Sequence, residues 1–156
     1  MNTTSNVTNR STDNRREPST SGSVLSADGT IIGYRQFGHG PGVILLHGAA
    51  SSGYNHVQLA EQLSTAFTVY VPDRRGRGLS GPYSADYSIQ KDKDMDALLT
   101  KTGAHQVFGV SSGGFIWLQV ALTLPAIHKA AIYEPPFIVN GSLSTAFMAV
   151  TLTNSQ

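Results

Sequence analysis

The chain has 156 residues, 40 % of them apolar, with 11 basic and 10 acidic residues and a net charge of +1. That length accommodates one domain with a packed core, and the near-even charge balance argues against nucleic acid or a membrane surface as partner. Cysteine is absent, which excludes disulfides, thiolate chemistry and cysteine-based zinc sites.

Residues 1–21 are rich in Ser, Thr, Asn and Arg and almost devoid of large apolar groups. Such a segment buries too little surface to offset the entropy of ordering, so a disordered N-terminal arm is expected, followed by one domain over 22–156. The arm lacks the apolar run of a secretory signal. The longest apolar stretch, "FIWLQVALTLPAI", is too short to span a bilayer and contains Gln119 and Pro125. A cytoplasmic location is the resulting expectation.

From residue 22 the pattern changes. "SVLSADGTIIGYRQFG" reads as a hairpin turning at Asp28-Gly29. "GVILLH" (42–47) is a continuous apolar run, as a strand buried on both faces requires. A helix over 56–66 follows, with Leu59, Ala60 and Leu63 on one face, then a second buried strand over 67–73. Met95, Leu98 and Leu99 mark a helix near 88–102, and "HQVFGV" (105–110) is a third buried strand. "SGGFIWLQVALTLP" reads as a helix apolar almost all round, and "KAAIYE" (129–134) as a further strand. Strands alternating with helices predict an α/β fold with a mostly parallel sheet flanked by helices on both faces. The strand over 129–134 is expected to be an exposed edge and a template for self-association, with "SLSTAFMAV" covering part of it as a helix.

In a parallel sheet, ligands bind beyond the carboxyl ends of the strands. There the chain carries "HGAASSG", "DRRGRGLSG", "SSGG" and "EPPF". "GVSSG" (109–113) fits G-x-S-x-G between a strand and a helix, a sharp reversal that exposes the central side chain. Centring the pattern on Ser111 leaves glycine on both sides, whereas Ser112 would put Val110 at the first small position. Ser111 is therefore the expected nucleophile. The Ser112 N–H, at the helix start, faces the oxyanion that develops on attack. "LLHGAA" supplies a second donor from small residues after the first central strand, with His47 read as a structural residue of that loop.

These segments, "VILLHGAASSG", "YVPDRRGRGLSGP", "VFGVSSGG" and "AIYEPPF", resemble the successive signatures of the α/β-hydrolase superfamily over residues 22 to about 140. The resemblance implies Ser111 as nucleophile and the backbone N–H groups of Ala49 and Ser112 as oxyanion hole. It implies a mainly structural role for Asp73 and Arg75, and hydrolysis of an ester-like or related small substrate through an acyl-enzyme. No cofactor and no metal is expected. "GRGLSG" (76–81) is a literal G-x-G-x-x-G, but its last glycine is followed by Pro82 and does not open a helix, so a bound pyrophosphate would lack a helix N-terminus.

A triad serine needs an imidazole within reach, held by a carboxylate. His105 and His128 are each placed about 20 Å from Ser111 by strand and helix rise. His39 belongs at the opposite sheet edge, and only His47 and His56 flank the correct one. Hydrolases of this fold order the chain as nucleophile, acid, histidine. Here the sequence ends at Gln156, so a partial fold is expected, lacking the C-terminal strands, the cap and the catalytic histidine. Glu134 is a candidate acid at a strand end. The function expected is that of a truncated serine hydrolase, weak or inactive by itself. The alternative is a non-catalytic interaction module of the same fold.

Overall fold

The computed structural model describes residues 19–83, 87–139, 142–144 and 147–151, with side chains over 19–83 and 93–137. β1 (Thr20–Leu25) and β2 (Ile31–Phe37) form the expected antiparallel hairpin. Gly29 takes φ 83° in the turn, and the Asp28 carboxylate accepts the Thr30 N–H at 3.0 Å. β1 opens two residues before the expected domain start at 22; residues 1–18 of the expected arm lie outside the described residues.

β3 (Gly42–Leu46), β4 (Thr68–Pro72), β5 (Gln106–Val110) and β6 (Lys129–Tyr133) follow. They alternate with a short 3₁₀ turn (Gly53–His56), α1 (Val57–Leu63), α2 (Tyr87–Thr102) and α3 (Ser112–Ala121). The four strands are parallel in the order β4-β3-β5-β6, and β2 joins antiparallel on the β4 side. α3 ends four residues earlier than its apolar run, at Ala121, with Leu122 exposed and Pro125 beyond.

The chain's tail corrects one expectation. "SLSTAFMAV" does not form a helix: β7 (Phe137–Val139) pairs with β8 (Ser142–Ser144), and β9 (Phe147–Thr151) adds antiparallel to β6. β6 is therefore an inner strand, and the sheet has seven strands in the order β1-β2-β4-β3-β5-β6-β9. The physical reason is the unsatisfied N–H and C=O row along β6, which a strand can pair and a helix cannot.

Period-two alternation gives the sheet two apolar faces. Ile44, Leu46, Val107 and Ile132 pack under α2 and α3 with Leu98, Ile116 and Trp117. The Trp117 indole N–H donates to the Phe108 carbonyl at 3.2 Å and seats α3 on the sheet. Leu45, Val69 and Val71 pack on the other face with Ala60 of α1. α1 covers only part of that face: beside it lies an apolar groove of about 510 Å³ lined by Val43, Leu45, Leu63, Phe67, Phe108 and Ala131.

Candidate active site

Because β3, β4, β5 and β6 are parallel, the segments after them converge at one edge. The turn from β5 into α3 runs through a single residue. Ser111, the N-cap of α3, has φ 53° and ψ −125°, a conformation an L-residue adopts only under constraint. The constraints are visible. The Ser111 N–H donates to the Tyr133 carbonyl at 2.8 Å, and the Phe115 N–H donates to the Ser111 carbonyl at 3.1 Å.

Glycine makes the turn possible. A Cβ on Gly109 would lie 2.6 Å from the Gly114 Cα, and one on Gly113 would lie 2.5 Å from the Leu46 carbonyl oxygen. α3 thus starts in backbone contact with the ends of β5 and β3. Gly48 is also near, though less tightly: a Cβ there would sit 3.3 Å from the Ser111 Cβ. The loop after β3 therefore passes directly over the serine.

That loop is oriented by His47, which is fully buried. Its Nδ1–H donates to the Gly48 carbonyl at 2.8 Å, while its Nε2 accepts the Arg74 N–H at 3.0 Å. Those partners define the tautomer. Burial holds its pKa down to about 4, so the ring is neutral at pH 7. The Gly48 carbonyl also accepts the Ser51 hydroxyl at 3.3 Å. In a trans peptide N–H and C=O point oppositely, so fixing the Gly48 carbonyl toward His47 turns the Ala49 N–H away from it. No acceptor for the Ala49 or Ser112 N–H occurs among the described residues. Both residues carry solvent-accessible surface beside the elbow.

Sequence reasoning placed Asp73 and Arg75 in the scaffold, and the structure shows how they work. Asp73, fully buried, accepts the Gly53 N–H at 2.7 Å, the Leu79 N–H at 2.9 Å and Arg35 at 3.0 Å. Burial raises its pKa, but these donors outweigh burial and the net shift is downward. Arg75 is also fully buried. It grips Asp94 of α2 with Nε and Nη2 at 2.7 and 2.6 Å, and Asp28 of the hairpin with Nη1 and Nη2 at 2.5 and 2.8 Å. The G-x-G-x-x-G of this loop serves the loop itself: the Gly76 N–H donates to the Gly81 carbonyl at 2.8 Å, closing a ring.

No hydrogen bond between the Ser111 side chain and a histidine occurs among the described residues. Both His47 nitrogens are occupied. His56 packs edge-on against Phe108 at 6.2 Å, and its buried Nε2 has no partner among the described residues. His105 and His128 stack at 4.5 Å beyond the other end of β5 and β6, and exposed His39 precedes β3. Glu134, exposed at the end of β6, has φ 49°, and no hydrogen bond from it to any histidine occurs among the described residues. Arg74 and Arg77, which sequence reasoning passed over, both reach the site. Among the described residues no group of three His, Asp or Glu side chains is arranged to hold a metal, and no helix is long and apolar enough to cross a membrane.

Residues 41–148 match the family model for the alpha/beta hydrolase fold. The chain belongs to that family. Over 119 residues it is 30 % identical to an uncharacterized hydrolase, YraK, of Bacillus subtilis, covering 72 % of this chain and 44 % of that protein. An alpha/beta hydrolase from Sphaerobacter thermophilus superposes with a TM-score of 0.71 at 40 % identity, over 76 % of this chain and 47 % of the other. An esterase, RhEst1, from Rhodococcus sp. superposes with a TM-score of 0.66 at 28 % identity, over 72 % and 45 %. The chain thus spans less than half the length of each of these three relatives, consistent with a partial α/β-hydrolase fold.

Proposed function

We propose that this chain is the nucleophile-bearing part of a serine hydrolase that cleaves a small ester-like substrate through an acyl-enzyme. The observation that carries the reading is the positive φ of Ser111, 53°, at the strand-to-helix junction. A backbone held in that region is costly, about 1–3 kcal/mol, and such strain clusters where a side chain must be presented. In the proposed step the Ser111 Oγ forms a bond to the substrate carbonyl carbon, and the carbonyl oxygen takes up the electron pair. The Ala49 and Ser112 N–H groups stabilise that oxyanion. The serine proton passes to a base, which returns it to the departing alkoxide. Water then releases the acyl group by the same path reversed. Phe115, one helical turn from Ser111, meets Phe137 edge-on at 6.4 Å and offers an apolar wall for the acyl chain.

The base belongs, on this reading, to polypeptide outside the described residues, with Glu134 a candidate acid on the near side. The chain by itself is then a slow catalyst. Removing a triad member leaves about 10³–10⁴-fold over water from the oxyanion hole and binding alone. Incubation with a fluorophosphonate and mass mapping tests the nucleophile: an adduct on Ser111 is expected, and one on Ser112 overturns the assignment. With an activated aryl ester, near-equal slow rates are expected for the wild-type chain and Ser111→Ala. Ordinary enzymatic turnover that Ser111→Ala abolishes would show that the base lies within this chain. That no histidine hydrogen-bonds the Ser111 side chain among the described residues favours a second reading, a non-catalytic interaction module. Folded, soluble protein that takes up no fluorophosphonate is its expected signature.

A further inference from the structure

Two arginines of the β4 loop reach over the site, and each touches a residue that carries an oxyanion donor. Arg77 Nη2 donates to the Ala49 carbonyl at 2.8 Å. Arg74 Nη1 donates to the Ser112 hydroxyl at 2.9 Å and lies 3.5 Å from the His47 carbonyl oxygen. Arg74 also holds the His47 ring through its own backbone N–H at 3.0 Å. One residue thus bridges three segments: the loop that carries Ala49, the β4 loop and the elbow.

We infer that Arg74 is a positioning residue, which registers the Ala49 loop against the elbow and sets a fixed positive charge beside the nucleophile through the Ser112 hydroxyl. The inference deepens the proposed serine-hydrolase reading and rests on it. Three observations carry it. First, Arg74 is only partly exposed and its Nη1 contacts are part-buried, so its charge is less screened than that of a surface arginine. Second, its contact is with the side chain of the residue next to Ser111, at the start of α3, where the backbone already favours negative charge. Third, the charge is felt across the site, since Arg74 contributes to holding the His47 imidazole neutral, behind burial as the main cause. Arg77 on the Ala49 carbonyl ties the same loop to the other donor-bearing residue, so the β4 loop contacts both.

The test uses a property that needs no catalytic base. The chain has no cysteine, so Ser111→Cys creates a single thiol at the nucleophile position. Its pKa is read from the pH dependence of alkylation by neutral iodoacetamide. With Arg74→Gln in that background, the thiolate fraction at pH 7 is expected to fall about tenfold, the effect of withdrawing one nearby opposite charge. Arg74→Lys, which restores the charge, is expected to recover most of it. A merely structural side chain would show no such rescue. The backbone bond from residue 74 to His47 survives either substitution, so folding is expected to persist. Ser112→Ala, which removes only the hydroxyl, provides a second variant and should lower the thiolate fraction in the same direction by a smaller factor. An unmoved thiol pKa in Arg74→Gln and Ser112→Ala overturns the inference. Fluorophosphonate labelling of the wild-type chain separates the two levels. A shifted thiol pKa with the adduct on Ser112 upholds the charge effect of Arg74 and sinks the Ser111 reading, and an adduct on Ser111 with an unmoved pKa does the reverse.

Discussion

Ser111 is held at φ 53° by its neighbours, so relief of that strain should be measurable. Glycine adopts such backbone readily but loses more entropy on folding. Ser111→Gly is therefore expected to stabilise the chain by about 1 kcal/mol net, and Ser111→Ala to leave it nearly unchanged, in urea denaturation. A destabilised Ser111→Gly would show that the turn is unstrained. His47 makes a second residue-scale prediction. Its folded pKa is about 4 against an ordinary 6.5, so between those values the unfolded chain binds the extra proton. The stability its neutral ring contributes is complete above pH 6.5 and is lost as pH falls toward 4. After allowance for solvent screening the loss is about 2 kcal/mol. His56, also lowered by burial, adds the same sign. Denaturation midpoints at pH 7 and pH 5 should differ clearly in the wild type and less in His47→Gln.

At the scale of elements, the β4 loop joins more of the molecule than its length suggests. Arg75 ties the β1–β2 hairpin to α2, and Asp94, almost fully buried, relies on that guanidinium. Arg75→Met leaves the Asp94 carboxylate without its cation in a dry place, a loss expected to be about 3 kcal/mol or more in thermal or chemical unfolding. Gly113→Ala should cost about 1–3 kcal/mol, because the new methyl meets the Leu46 and His47 carbonyl oxygens and must push α3 off the sheet. These two kinds of feature were unequally legible. The elbow glycines follow from a local rule, since small residues either side of a reversed serine are needed wherever strand meets helix. That Arg74 ends on Ser112, 38 residues away, follows from no local rule. Side-chain destinations of long flexible residues depend on where the topology sets the two loops, and periodicity carries no signal for that. His47 sat between these cases: its place after a central strand was readable, but its two partners were not.

Across the whole molecule, the central sheet was legible because its strands are short apolar runs bounded by Gly, Pro and charged residues. Buried strands leave that imprint regardless of their partners. The tail was not. Phe147, Met148, Ala149 and Val150 are apolar at successive positions, so neither period two nor period 3.6 decides between strand and helix. What decides is β6, whose backbone the tail satisfies in the register Lys129↔Thr151 through Tyr133↔Phe147. That arrangement has a consequence for assembly. β9 follows β6 after the connection 134–146 and, among the described residues, pairs in the sheet only with β6. We propose that the same register also forms with β6 of another copy, an arm exchange that trades like bonds and rises with concentration. Ala131 and Ala149 face each other in this register, and the chain offers no competing thiol. In Ala131→Cys/Ala149→Cys, oxidation of dilute protein is expected to lock a monomer. Oxidation of concentrated protein is expected to trap covalent dimers whose proportion rises with loading, each holding the other's last strand.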